Sequence, residues 1–231
     1  MIIYFEGPDG SGKSTLITYL SRRLDQLQRL RGIKVVEHGE RLIPTRPYQP
    51  NRIEPSALMV KLAEMAIDKE TVYILDRGPL SDIIYCAFNG YQPVISLSTW
   101  FVFWLNYSDM ITMVYCDSDV AEEMMLARGD NYPIAVQYYK QIRYMYQQVM
   151  PMFSPCRYDM AKHKTSEDML ARVNIIIATM FAKVEHQKNI DSHLYGLIRR
   201  VNADKIKEER EKHIVADKPK EESGEDEKVS E

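Results

Sequence analysis

Short apolar runs recur along the first 183 positions, separated by longer stretches in which apolar residues return every three or four places. Met1–Phe5, Lys34–His38, Thr71–Leu75 and Met110–Tyr115 read as strands. Gly12–Arg31 reads as a helix whose stripe is Leu16, Leu20, Leu24 and Leu27, with Gly32 at the place of a C-terminal stop. Ser56–Ile67, Leu80–Phe88, Ser98–Tyr107, Val120–Arg128, Ile134–Met150 and Glu167–Val184 read as further helices. Short apolar strands separated by helices predict a three-layer α/β fold with a parallel sheet covered on both faces. Beyond position 183 the pattern changes. Leu194, Leu197, Ile198 and Val201 keep helical spacing within Ile190–His213, which predicts an appended helical segment over 184–213. The last stretch, 214–231, has seven acidic residues and three lysines from Asp217 onward and no aromatic residue. It cannot bury enough apolar surface to offset its ordering entropy, so a disordered acidic tail is expected.

Composition narrows the classes. The 231 residues are 45% hydrophobic and 27% charged, an ordinary balance for a soluble globular chain. Thirty Lys+Arg against thirty-three Asp+Glu give a formal charge of −3, so no global basic field draws the protein to nucleic acid or anionic lipid. Cys86, Cys116 and Cys156 are widely spaced without a CxxC pair, which argues against a disulfide framework or zinc site and suits reduced thiols in a cytosol. The opening apolar stretch is too short for a signal peptide and lacks a basic flank. The most apolar helix, Thr99–Leu105 at its centre, is far below the roughly 20 residues that span a bilayer. A cytoplasmic protein with no membrane partner is expected; if phage-encoded, it would act in the host cytoplasm.

The chemistry is concentrated after the first strand. Gly7-Pro8-Asp9-Gly10-Ser11-Gly12-Lys13-Ser14 matches G-x-x-x-x-G-K-[ST] at every fixed position, between a strand and a helix. Glycines let the backbone curl so that its N–H groups point at phosphate oxygens, and the helix N-terminus that Thr15 continues adds positive potential. Lys13 is placed to reach the β- and γ-phosphates and the Ser14 hydroxyl to ligate Mg²⁺. A nucleoside triphosphate, ATP, is the expected ligand. The chain has no Asn-Lys-x-Asp guanine-reading motif, which counts against a GTPase.

Phe5-Glu6-Gly7-Pro8-Asp9-Gly10-Ser11-Gly12-Lys13-Ser14-Thr15 closely resembles the opening F-E-G-x-D-G-x-G-K-[ST]-T of the thymidylate kinase family. Asp76-Arg77, with Ser81 and Tyr85 following, resembles that family's D-R-[YF]-x-x-S-x-x-x-Y, with Gly78 in place of the aromatic. Ala127-Arg128-Gly129 looks like the start of its lid, Gln137–Tyr146 like the helix after it, and Tyr158-Asp159 like its last strand. The resemblance spans about residues 1–183 and implies a P-loop kinase fold there. It further implies that Asp76 orders Mg²⁺ and Arg77 holds the acceptor near the γ-phosphate. Arg128 would come from the lid to the transferring phosphoryl group. Asp9 and Tyr85 would face the acceptor's sugar, beside Ser81. It leaves a homodimer open as the assembly.

Three departures lie on the acceptor side. Thr45-Arg46 is followed by Pro47-Tyr48-Gln49-Pro50 where the family has T-R-E-P-G. Val60-Lys61-Leu62-Ala63-Glu64-Met65 lacks the aromatic and the arginine of the family's L-F-x-A-D-R. The lid Arg128–Pro133 lacks a second arginine. Two enzyme readings follow: a kinase converting dTMP to dTDP, with Arg46, Arg77 and Arg52 replacing the missing contacts, or a phage-type DNA-modification kinase acting on 5-hydroxymethyluracil within DNA. In the second the base must be flipped out or presented unpaired, Arg41, Arg46 and Arg52 around Tyr48 would contact DNA, and Asp9 would be catalytic, orienting or deprotonating the attacking hydroxyl. A nucleotide-binding regulator with a dead acceptor site is the non-enzyme reading. Trp100, Phe101, Phe103 and Trp104 are expected to pack in a core or dimer interface, or else to wall the acceptor site.

Overall fold

The computed structural model describes residues 1–31, 34–38, 54–129, 133–162 and 165–183, together with Glu185, His186, Asn189 and Ser192. Five strands form one parallel sheet: β1 (Ile2–Glu6), β2 (Lys34–His38), β3 (Thr71–Asp76), β4 (Ile111–Asp117) and β5 (Cys156–Asp159), in the spatial order β2-β3-β1-β4-β5. The helices are α1 (Lys13–Arg31), α2 (Pro55–Ile67), α3 (Pro79–Asn89), α4 (Leu97–Tyr107), α5 (Ala121–Ala127), α6 (Pro133–Gln137), α7 (Tyr139–Val149) and α8 over 166–183. This is the three-layer α/β arrangement that the apolar pattern predicts. Central β1 is buried along its whole length, as a strand covered on both faces must be.

Side chains of a strand alternate between faces, and here the alternation divides the core. Ile2 and Tyr4 join Leu58 and Leu62 of α2, Leu80 and Ile84 of α3, Trp100 of α4 and Ile142 of α7. Ile3 and Phe5 join Leu16, Leu20 and Leu24 of α1 and Val173 and Ile176 of α8. Glu6 therefore ends β1 on the Tyr4 face, under α3 and α7. Parallel registers carry Phe5 opposite Asp76 and Glu6 opposite Tyr115, so the carboxyl ends of three strands meet at one rim.

Local chemistry explains the element ends. Pro79 opens α3, where its missing N–H costs nothing, and Gly90 closes it in the left-handed region. Ser96 caps α4 by accepting from the Thr99 amide. The stretch expected as one helix over Ile134–Met150 is two, broken at Tyr138, whose φ and ψ are −115° and 22°. The break lets Tyr138 stack on Phe88 at 5.2 Å while Tyr139 turns into the core. Trp100 is core as well, its ring 5.4 Å from those of Tyr4 and Phe103.

The chain divides into two compact units, 1–185 and 186–231. β1–β5 and α1–α8 lie in the first. In the second, the described positions His186, Asn189 and Ser192 are helical. The expected segment 184–213 falls almost wholly outside the described residues, and the acidic tail does so entirely. No helix among the described residues is long and apolar enough to cross a membrane.

Candidate active site

The loop between β1 and α1 folds as a phosphate cradle requires. Gly7, Gly10 and Gly12 all take positive φ. At Gly10 a Cβ would stand 2.1 Å from the Ala121 carbonyl oxygen, and at Gly7 2.0 Å from that of Cys116, so no side chain fits against α5 or β4. Ser11 closes the loop on the Pro8 carbonyl at 2.8 Å. Lys13 is buried and donates to the carbonyls of Gly7 (2.9 Å) and Pro8 (2.7 Å). Burial foremost, then the neighbouring Arg77 charge, pulls its ammonium down to about 8 against the opposing pull of Asp9 and Asp76. Ser14 and Thr15 lie exposed in the first turn of α1.

Asp76 ends β3 beside this loop. Its Oδ1 is buried without a hydrogen-bond partner among the described residues. An orphaned carboxylate oxygen is costly unless something pairs with it. Together with the exposed Ser14 hydroxyl it offers the hard oxygen donors that Mg²⁺ takes, and these residues fit that ion. Among the described residues, no group of three His, Cys, Asp or Glu side chains forms a protein-only metal site.

Arg77 follows in the left-handed region at φ 69°, uncommon for a non-glycine residue. Its amide donates to Phe5 O at 3.1 Å. Its guanidinium is buried, donating from Nη1 to Gly7 O (3.0 Å) and Ser81 Oγ (3.2 Å) and pairing through Nη2 with Asp9. The Tyr85 hydroxyl donates to the second oxygen of Asp9 at 2.8 Å, and its ring lies 5.3 Å from the guanidinium carbon. Asp9, Arg77, Ser81 and Tyr85, singled out in the sequence, are thus one cluster against the phosphate loop.

Arg128 is not brought into that cluster among the described residues. It is exposed at the C-terminal end of α5, just before residues 130–132, which are not described. Arg46 lies outside the described residues, as do Arg41 and Arg52.

Glu6 belongs to the site although the sequence reading gave it no role. It is fully buried and accepts from Tyr4 Oη (2.5 Å), Ser81 Oγ (2.6 Å), Tyr146 Oη (2.9 Å), the Ser81 amide (3.1 Å) and the Gly78 amide (3.3 Å). Burial raises its pKa against the lowering effect of these donors and of Arg77. The signal was legible: a carboxylate at an inward position of an otherwise apolar strand.

A cavity of about 530 Å³ opens beside the start of α1, lined by Thr15, Tyr19, Glu123, Met124, Tyr158, Met160, Thr165 and Ser166 among others.

No family model matches the chain, and no curated protein matches it. Solved structures do. The chain is similar to the YorR protein of Bacillus subtilis, solved in complex with phosphorylated GDP. Identity is 20%, covering 81% of this chain and 98% of that one, with a TM-score of 0.54. A shikimate kinase from Bacteroides thetaiotaomicron matches at 14% identity over 76% of this chain and 96% of its own, with a TM-score of 0.44. A deoxyadenosine kinase from M. mycoides, solved with dCMP and dCDP, matches at 17% over 79% and 100%, with a TM-score of 0.38. The likeness to YorR is one of fold, a parallel sheet between layers of helices.

Proposed function

We propose that the protein is an ATP-dependent phosphotransferase that moves the γ-phosphoryl group onto a thymidine-type pyrimidine deoxynucleotide unit. The observation that carries this reading is the Asp9–Arg77–Tyr85 cluster packed directly on a complete phosphate loop, a second polar site beside the first. That YorR was solved with a phosphorylated guanosine nucleotide supports a nucleotide at the loop of this fold.

The triphosphate lies along the loop amides and the N-terminus of α1, with Lys13 leaving the Gly7 and Pro8 carbonyls to meet the β- and γ-oxygens. The cavity beside Thr15 and Tyr19 receives the base. Ser14 and Asp76 hold Mg²⁺, which supplies neutralisation of the charge on the β- and γ-oxygens. Arg128 closes on the transferring group from the end of α5. On the acceptor side, the thymidylate form of the reading has dTMP as substrate, with Arg77 and Arg46 at its monophosphate. The DNA-modification form has the hydroxymethyl group of 5-hydroxymethyluracil as acceptor.

Transfer of label from γ-³²P-ATP to dTMP, deoxynucleosides or hydroxymethyluracil-containing DNA tests the reading. Lys13→Ala should lower transfer at least 100-fold with the melting temperature within a few degrees of wild type. Near wild-type transfer by this variant would remove the phosphate-loop assignment.

A further inference from the structure

Resting on the phosphotransfer reading, we infer that Glu6, acting through the hydroxyls of Ser81 and Tyr146, is the positioning residue for Arg77. Ile2 and Tyr4, which share its face of β1, lie in the apolar core, where a carboxylate is strongly unfavourable until its partners are counted. Those partners are all donors, divided between its two oxygens. Oε1 takes the Tyr4 hydroxyl and the Gly78 and Ser81 amides, and Oε2 takes the hydroxyls of Ser81 and Tyr146. Gly78 makes the first group possible, since a Cβ there would stand 2.6 Å from the Tyr4 ring. Amides can only donate, so the arrangement fits the ionised carboxylate.

The Oε2 side leads to Arg77. Ser81 Oγ and Tyr146 Oη lie 2.8 Å apart, and Arg77 Nη1 stands 3.2 Å from the first and 3.5 Å from the second. A guanidinium has donors and no acceptor. Each hydroxyl has one proton, and with Glu6 ionised both protons find acceptors inside the Glu6–Ser81–Tyr146 triangle. Both oxygens then turn lone pairs to Nη1, and Gly7 O at 3.0 Å completes the set. The triangle is a polarised acceptor for one edge of the guanidinium.

Arg77 needs such a hold. Its backbone is in the left-handed region at φ 69°, and its other edge pairs with Asp9, which is partly exposed at the rim. Fixing Nη1 from behind presents Nη2 to the site at one angle. A displacement of about 1 Å in a group of this kind costs on the order of 100-fold in rate. The Tyr146 ring is itself stacked on that of Tyr115, with centroids 6.2 Å apart, so Tyr146→Phe removes the hydroxyl and keeps the packing. Glu6→Gln keeps the shape and reverses the polarity. Its carbonyl goes to the two amides, and its NH₂ takes a lone pair from a hydroxyl, sending that hydroxyl's proton toward Arg77.

Two measurements on the whole chain test the inference. In ¹⁵N NMR of the Arg77 guanidinium, assigned with Arg77→Met, the two Nη groups exchange by rotation about the Nε–Cζ bond. That exchange should be at least threefold faster in Tyr146→Phe and in Glu6→Gln than in wild type. In transfer from γ-³²P-ATP to dTMP or to hydroxymethyluracil-containing DNA, whichever the wild type labels faster, both variants should lose at least tenfold in kcat. The KM for ATP should stay within twofold. Adding Tyr146→Phe to Arg77→Met should change kcat less than twofold, because a residue acting through Arg77 then has nothing left to position. A network that only holds α3 would lower kcat alike in both backgrounds, and that result overturns the inference. An unchanged exchange rate overturns it too. If the wild type labels neither acceptor, the phosphotransfer reading falls, and the exchange rates alone decide whether Glu6 holds Arg77.

Discussion

Replacing Glu6 measures how much of the rim depends on one buried carboxylate. Glu6→Ala would leave five donors without their acceptor: the hydroxyls of Tyr4, Ser81 and Tyr146 and the amides of Gly78 and Ser81. The Ser81 and Tyr146 hydroxyls can turn to each other at 2.8 Å, and Tyr4 accepts from the Leu80 amide but still loses its own acceptor. Only one of those two hydroxyls can donate in that pair, so four donors are then stranded: the other of the two, the Tyr4 hydroxyl and the two amides that begin α3. At about 1–3 kcal/mol for each buried unsatisfied group, the loss is roughly 4–12 kcal/mol. Relief from burying an ionised carboxylate, which the raised pKa of Glu6 records, offsets part of this and places the expectation near the lower end. Glu6→Gln should cost less. Its carbonyl can face the two amides while its NH₂ donates to the reorientable hydroxyls of Ser81 and Tyr146, so about 1–3 kcal/mol is expected. Urea denaturation followed by circular dichroism reads both values. A Glu6→Ala protein within 1 kcal/mol of wild type, or a Gln variant less stable than the Ala variant, would refute the reasoning.

Two other substitutions test different parts of the frame. Gly10→Ala must fit a Cβ 2.1 Å from the Ala121 carbonyl at a φ of 73°, so it should abolish ATP binding measured by calorimetry, with a melting-temperature loss of several degrees. Asp68 accepts from the Glu70 and Thr71 amides and from the Tyr73 hydroxyl, and these bonds outweigh burial and lower its pKa from 3.8 to about 2. The folded pKa lies below the unfolded one, so the stabilisation is present above about pH 4 and is lost as pH falls through 2. Asp68→Asn should therefore cost about 1 kcal/mol at pH 7 by urea titration and almost nothing at pH 2, whereas an equal cost at both would contradict the assignment.

Strand and helix periodicity made the fold class and the order of layers legible, because buried parallel strands and amphipathic helices leave different spacings. The phosphate loop was legible for a sharper reason: its glycines answer to carbonyls of β4 and α5 that no Cβ can approach. Asp76, Arg77, Ser81 and Tyr85 stood out only through their resemblance to the D-R-[YF]-x-x-S-x-x-x-Y motif of the thymidylate kinase family. The pairing of Arg77 with Asp9 did not, since it joins residues 68 apart and depends on β1 and β3 being neighbours. Glu6 was passed over as part of a motif, its partners Ser81 and Tyr146 being supplied by α3 and α7. The break at Tyr138 had no breaker residue to announce it; packing against Phe88 overrides local helical preference there.

The central claim is transfer from ATP to an acceptor oxygen at this rim, and ³¹P NMR of a single mixture tests it directly. Protein, Mg²⁺ and ATP with thymidine-type hydroxyl acceptors and dTMP should show the γ resonance of ATP decaying as ADP appears, with an equal intensity arising as a new ester of the acceptor. ADP accompanied only by inorganic phosphate, or an unchanged ATP spectrum, would contradict the account.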